Sequence, residues 1–188
     1  MMFPQSDTIQ AQRDEIIRWY AVMLEDAFQD RLESFLKLWS IDGTPVGFCG
    51  WTIERNREQI EVNDSQANEQ PKKEMRKKQT WIPKAIDIDG WTTLSRALRT
   101  ERDQVLKNLD NICRLTFMAV NPEYQRQGIG SMMMQRICEE TDQHGRCAYV
   151  LAAPDGVRLY AKFGFETVGR VETSQGTITS MLRPSRQS

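Results

Sequence analysis

The chain has 188 residues, 39% of them hydrophobic and 27% charged, a balance that fits one ordinary soluble domain with a full core. A formal net charge of −1 leaves no overall basic field for nucleic acid, and no apolar run approaches the ~20 residues that span a bilayer. His144 is the single histidine, and Cys49, Cys113, Cys138 and Cys147 lack C-x-x-C spacing, so neither a metal site nor a disulfide framework is expected.

The opening MMFPQSDTIQAQRDE has no apolar signal core, so the expected location is cytoplasmic, with a nuclear one also open. From Asp14, Ile16, Ile17, Tyr20, Met23, Leu24, Ala27 and Phe28 mark the apolar face of a helix. Phe35 to Ile41 reads as a strand. Asp42-Gly43 is a hairpin turn signal, although Pro45 complicates it, and Val46 to Ile53 returns as the partner strand. Gly47 and Gly50 inside that strand predict a bulge or a close backbone approach. Residues 55–80 are rich in charge and poor in apolar side chains, the composition of a mobile, solvated insertion. The cluster Lys72, Lys73, Arg76, Lys77 and Lys78 is offset by Glu54, Glu58, Glu61, Glu69 and Glu74, which favours a solvated loop over a nucleic-acid site. Beyond Trp81-Ile82-Pro83, Asp89 is expected to cap a helix carrying Trp91, Leu94, Leu98, Val105 and Leu109.

The stretch from Leu115 to Ser131 changes period within itself. Leu115, Phe117 and Ala119 alternate with Thr116, Met118 and Val120 as in a strand, and Asn121-Pro122 stops it. Ile129, Met133, Met134, Ile137 and Cys138 then fall on one helical face that runs to about Gln143, where His144-Gly145 closes the helix. Between the two periods lie Gln125, Arg126, Gln127, Gly128, Ile129, Gly130 and Ser131. Glycines permit close backbone approach, the free N–H groups of a helix start point at an anion, and Arg126 adds a permanent charge: together, a phosphate cradle. It is not a P-loop, since no lysine separates Gly130 from Ser131, and Met133 stands where a dinucleotide fingerprint has its third glycine. Cys147 to Ala152 reads as a buried strand, Pro154-Asp155-Gly156 as a turn, Val157 to Phe163 as a short helix, and Phe165 to Val171 with Gly176 to Leu182 as a terminal hairpin.

The segment Val120-Asn121-Pro122-Glu123-Tyr124-Gln125-Arg126-Gln127-Gly128-Ile129-Gly130 resembles the V-x-P-x-x-Q/R-x-x-G-x-G/A motif of the Gcn5-related N-acetyltransferases, the GNAT superfamily. Leu159-Tyr160-Ala161-Lys162-Phe163-Gly164-Phe165 resembles a second element of that family, at the family's distance from the first. The resemblance implies an α/β (α+β) fold: one domain over 1–188 with a mixed, twisted sheet and helices on both faces, splayed between the fourth and fifth family strands. The family's usual first strand is not visible before Asp14.

It further implies acetyl-CoA as co-substrate, with no metal. Its pyrophosphate would lie on Gln125 to Ser131 and its pantetheine against the backbone of Met118, Ala119 and Val120, while Tyr160 would be the proton donor to the departing thiolate. The expected acceptor is an amine of a small molecule or peptide, with no nucleic-acid or membrane partner, and the chain a monomer or homodimer. Where some members carry a glutamate base, this chain has Arg114, so Glu54, Asp87 or Asp89 acting through water, or no base at all, stay open. The five tryptophans all precede the first motif, on the half that builds the acceptor cleft in the family, and hint at an apolar or aromatic acceptor. The rival reading is a non-catalytic acyl-CoA-binding or interaction module on the same fold.

Overall fold

The computed structural model describes residues 10–29, 33–54, 81–83, 86–174 and 176–186. The insertion expected at 55–80 therefore lies outside the described residues. In chain order the elements are α1 (Gln10–Gln29), β1 (Glu33–Trp39), β2 (Pro45–Glu54), α2 (Ile88–Leu106), β3 (Ile112–Val120), α3 (Ile129–Gln143), β4 (Cys147–Ala152), α4 (Val157–Lys162), β5 (Glu166–Thr173) and β6 (Gly176–Arg183). Residues 1–9, where the family's usual first strand would precede α1, lie outside the described residues.

The strands form one mixed sheet in the order β1-β2-β3-β4-β6-β5, antiparallel except where β3 meets β4. That parallel contact is short: Ile112 faces Cys147, Cys113 faces Ala148, Arg114 faces Tyr149, and beyond Arg114 the two strands no longer pair. The reason is visible on the other edge of β3. Gly50 of β2 lies opposite Phe117 and Trp51 opposite Leu115, so Thr116 has no partner across β2. An extra residue in one strand bends it and raises its twist, and here the bend follows the last β3–β4 pair by two residues. Gly50 makes room for it, since a Cβ there would stand 2.4 Å from the Phe117 ring.

Helices cover both faces. On one, α3 lays Ile129, Met133, Met134, Ile137 and Cys138 against Cys49, Trp51, Cys113, Leu115, Ala148 and Val150, and α4 adds Tyr160. Burying side chains of this size stabilises by roughly 1.5–3 kcal/mol each, which makes this face the main source of stability. On the opposite face, Leu106 at the end of α2 packs with Ile112 and Tyr149, with Val105, Leu109, Leu151 and Leu182 around them. Arg183, 2% exposed, ties the first face together. Its guanidinium donates to both carboxylate oxygens of Asp142 at 2.7 Å and to the Phe163 carbonyl at 2.9 Å, joining β6 to the ends of α3 and α4.

Several boundaries differ from the sequence reading. α1 begins at Gln10 rather than Asp14, and β1 at Glu33 rather than Phe35. The cap of α2 is Asp87, not Asp89: the Asp87 carboxylate accepts the Gly90 N–H at 3.0 Å, which starts the helix one residue before Asp89. Leu109 lies past the end of α2, in the turn where its N–H bonds the Leu106 carbonyl.

Candidate active site

The splay between β3 and β4 opens the sheet, and two depressions meet there from opposite faces. On the α3 side a groove of about 1170 Å³ runs past Met118, Val120, Gln125, Arg126, Gly128, Ile129, Gly130 and Ser131 on one bank and Ala153 to Gly156, Arg158, Leu159, Tyr160 and Lys162 on the other. On the α2 side a cavity of about 400 Å³ is lined by Ser95, Leu98, Arg99 and Arg102 of α2, Arg114 to Met118 of β3, Tyr149 to Leu151 of β4, Ala153 and Tyr160. Met118, Ala153 and Tyr160 line both, so they stand at the junction.

The first bank owes its shape to two residues at positive φ. Arg126 sits at φ 63° and Gly128 at φ 88°, on either side of Gln127. An arginine in that region is uncommon and costs conformational energy, a feature that concentrates at ligand sites. A Cβ on Gly128 would meet nothing within 4 Å, so this glycine serves the backbone conformation. Gly130 serves packing, because a Cβ there would come 3.1 Å from the Leu159 side chain and press α3 away from α4. Gly128 caps α3 without a side-chain hydrogen bond, and no acidic residue occupies the helix's first turn. The positive end of the helix dipole thus opens into the groove with free N–H groups. Arg126, Arg158 and Lys162 line the same groove, with Asp155 the only acid in the lining among the described residues. A groove with this charge and an open helix terminus has the chemistry to receive a phosphate-bearing ligand.

Not all expected cradle residues share the groove. Gln125 lines it while its amide donates to the Val120 carbonyl at 3.4 Å. Gln127 does not line it and instead donates to the Glu123 carbonyl at 3.2 Å. Ala119 is exposed opposite Phe48 and lines neither depression. The sequence reading did not single out Arg158 and Lys162, although their i, i+4 spacing on α4 marks one face and both line the groove with Tyr160. It also passed over Ser95, Arg99 and Arg102, whose spacing of four and three likewise marks one face of α2.

Tyr160 is 8% exposed and packs on Phe165 with ring centroids 5.8 Å apart. Burial pushes its phenol up to about 12, so at neutral pH the oxygen keeps its proton and can donate a hydrogen bond. The candidate bases lie elsewhere. Glu54 accepts the Arg114 guanidinium, Asp87 caps α2, and Asp89 stands in that helix's first turn; none lines either depression. The tryptophans do not line them either. Trp51 is buried under α3, Trp19 meets Trp91 edge-on at 6.3 Å, and Trp39 is exposed. The hint of an aromatic acceptor drawn from them is therefore not supported: Trp51 packs in the core, Trp19 and Trp91 pack together, and Trp39 and Trp81 lie at the surface.

Comparison with known proteins agrees with this architecture. Residues 88–167 match the family model of the acetyltransferase (GNAT) domain. The fold is similar to that of arylalkylamine N-acetyltransferase 2 from Aedes aegypti, with a TM-score of 0.60 and 12% identity over 92% of this chain and 80% of that one. It is also similar to a structure described as histone acetyltransferase HPA2 and related acetyltransferase from Corynebacterium glutamicum, with a TM-score of 0.55 and 14% identity over 99% of this chain and 81% of that one.

Proposed function

We propose that this chain, which has the fold of the GNAT acetyltransferases and matches their domain model over residues 88–167, is an N-acetyltransferase that moves the acetyl group of acetyl-CoA to an amine of a small molecule or peptide. One observation carries the reading: a basic groove that starts at a helix N-terminus and a separate cavity on the opposite face meet at Met118, Ala153 and Tyr160. A donor and an acceptor can approach each other there from opposite faces of the sheet.

Acetyl-CoA supplies an activated acetyl thioester: the amine lone pair forms the C–N bond, the C–S bond breaks, and the thiolate leaves. The chain positions and polarises. The Arg126 side chain and the N-terminus of α3 hold the pyrophosphate, and the edge of β3 freed beyond Arg114 offers backbone groups to the pantetheine arm. Holding two reactants in line removes on the order of 7 kcal/mol or more of barrier at best. The Tyr160 phenol donates to the sulfur. With its proton bound at about 12, it does not surrender it outright to a thiolate whose conjugate acid lies near ~8.5; it contributes a hydrogen bond that tightens as charge builds on sulfur. No carboxylate lines the cavity on the α2 side among the described residues, so the amine enters as the free base, and the proton its nitrogen sheds once the C–N bond has formed passes to water or to the departing thiolate.

That lack of a lining carboxylate is also what favours the rival reading, an acyl-CoA-binding module without chemistry. Thermal melting with acetyl-CoA and release of free thiol with a panel of amines separate the two. The proposed function expects a raised melting temperature, a smaller rise in Arg126→Ala, and thiol release with at least one amine. A rise without release from any amine moves the binding-module reading ahead, and no rise at all in folded protein overturns both.

A further inference from the structure

Among the described residues, the cavity on the α2 side is lined by three arginines and by no acid. Arg99 and Arg102 come from one face of α2 and Arg114 from β3. Two of the three are already engaged from outside the lining: Arg102 by Asp103, at 2.7 and 2.9 Å, and Arg114 by Glu54. Arg99 makes no ion pair or hydrogen bond with any described residue. The hydroxyl of Thr116, the unpaired bulge residue on the cavity wall, is buried without a hydrogen-bond partner. An uncommitted guanidinium is what a carboxylate with its two oxygens would engage. A polyamine, by contrast, would bring positive charge against Arg99, which no described carboxylate offsets.

We propose, resting on the acetyltransferase reading above, that the acceptor is a small amine carrying its own carboxylate, which Arg99 binds while the amine turns toward Met118 and Tyr160. The cavity's volume of about 400 Å³ lies within the usual range for small-molecule sites. Guanidinium and carboxylate match in planar geometry, and the pairing sets which end of the acceptor enters first. Arg102 and Arg114, held by Asp103 and Glu54, do not compete for the same two oxygens.

The test compares amines in pairs that differ by the carboxylate alone: phenylalanine with phenethylamine, lysine with cadaverine, β-alanine with ethylamine. Free-thiol release gives kcat/KM for each, and calorimetry on the coenzyme A-loaded protein gives binding of phenylalanine and β-alanine without chemistry. The carboxylated member should be preferred about tenfold or more in at least one pair. Arg99→Gln should cut that preference about tenfold through KM, and Arg99→Lys should restore part of it. Arg96→Gln, on α2 but outside the lining, should leave the ratio as in the parent. Equal or better turnover of the decarboxylated amines, or an unchanged preference in Arg99→Gln, overturns the carboxylate proposal while the transferase reading stands. If no amine releases thiol but the carboxylated amines bind, and more weakly in Arg99→Gln, the pocket stands and the transferase reading falls. If they neither bind nor react, the pocket proposal is wrong.

Discussion

Burial sets the protonation of Tyr160, and removing its hydroxyl separates packing from chemistry. Tyr160→Phe keeps the ring against Phe165, so acetyl-CoA affinity should stay within a few-fold of the parent. In the proposed mechanism its hydrogen bond to the leaving sulfur would form mainly in the transition state, so kcat should fall roughly 10- to 10³-fold, read by thiol release with a working acceptor. An unchanged kcat would remove Tyr160 from the mechanism and leave the fold untouched. Asp142 poses the opposite case. Its hydrogen bonds from Arg183, with that side chain's charge nearby, hold its carboxyl below the usual carboxylate range. A depressed folded pKa contributes stability that is present above the unfolded value, near ~3.9, and is lost as pH falls through the folded value. Arg183 is 2% exposed and would be left without its counter-charge in Asp142→Asn, at a cost of about 2–4 kcal/mol, trimmed because the Asp142 side chain is 31% exposed. Denaturant midpoints should show the full gap between parent and variant at pH 6–7, closing below about pH 4. A gap that persists undiminished at pH 2.5 would mean the pair is not what stabilises the junction of β6 with α3 and α4.

The helix that forms the cradle is seated by a glycine in a neighbouring strand. A Cβ on Gly47 of β2 would stand 2.7 Å from Cγ2 of Ile129, the first residue of α3. Ile129 is β-branched and cannot swing away freely, so Gly47→Ala should displace the start of α3, destabilise by about 1–3 kcal/mol, and weaken acetyl-CoA binding more than its loss of stability alone explains. Equilibrium unfolding and a binding titration on the same variant check both halves; normal binding by a destabilised variant would refute the link. The strand-turn-helix from Leu115 to Gln143 and the short helix around Tyr160 were legible in the sequence because periodicity, proline and glycine act locally. The start of α2 was less so: Asp87 and Asp89 are both good caps, and only the fold shows which carboxylate reaches a free N–H. The glycines in β2 announced a bulge or close approach, yet register is a property of pairs, so the unpaired residue, Thr116, could be found only with β3 in place. The arginine cavity was hidden for a similar reason, since Arg99 and Arg102 meet Arg114 only when α2 crosses the sheet.

Across the whole molecule, the sheet separates the two partners of the proposed reaction, and it joins them only at the splay. Coenzyme A bound along the groove touches α3 and α4 but has no reason to touch Ser95, Arg99 or Arg102 on the opposite face. Ligand binding suppresses local opening where the ligand contacts the backbone, whereas global stabilisation slows exchange most in the segments that open only by unfolding. Hydrogen exchange at saturating coenzyme A should therefore slow strongly over 125–131 and 153–162. The exposed outer face of α2 should change little, beyond whatever global stability adds to its amides. Adding a competent acceptor to that complex should then slow exchange over 95–102 as well, the second step depending on the first site being filled. Slowing of α2 by coenzyme A alone, with 125–131 unaffected, would put the nucleotide on the wrong face and reverse the assignment of the two cavities. Uniform slowing in proportion to the gain in global stability would instead mean that the loop 125–131 is not where the phosphates sit.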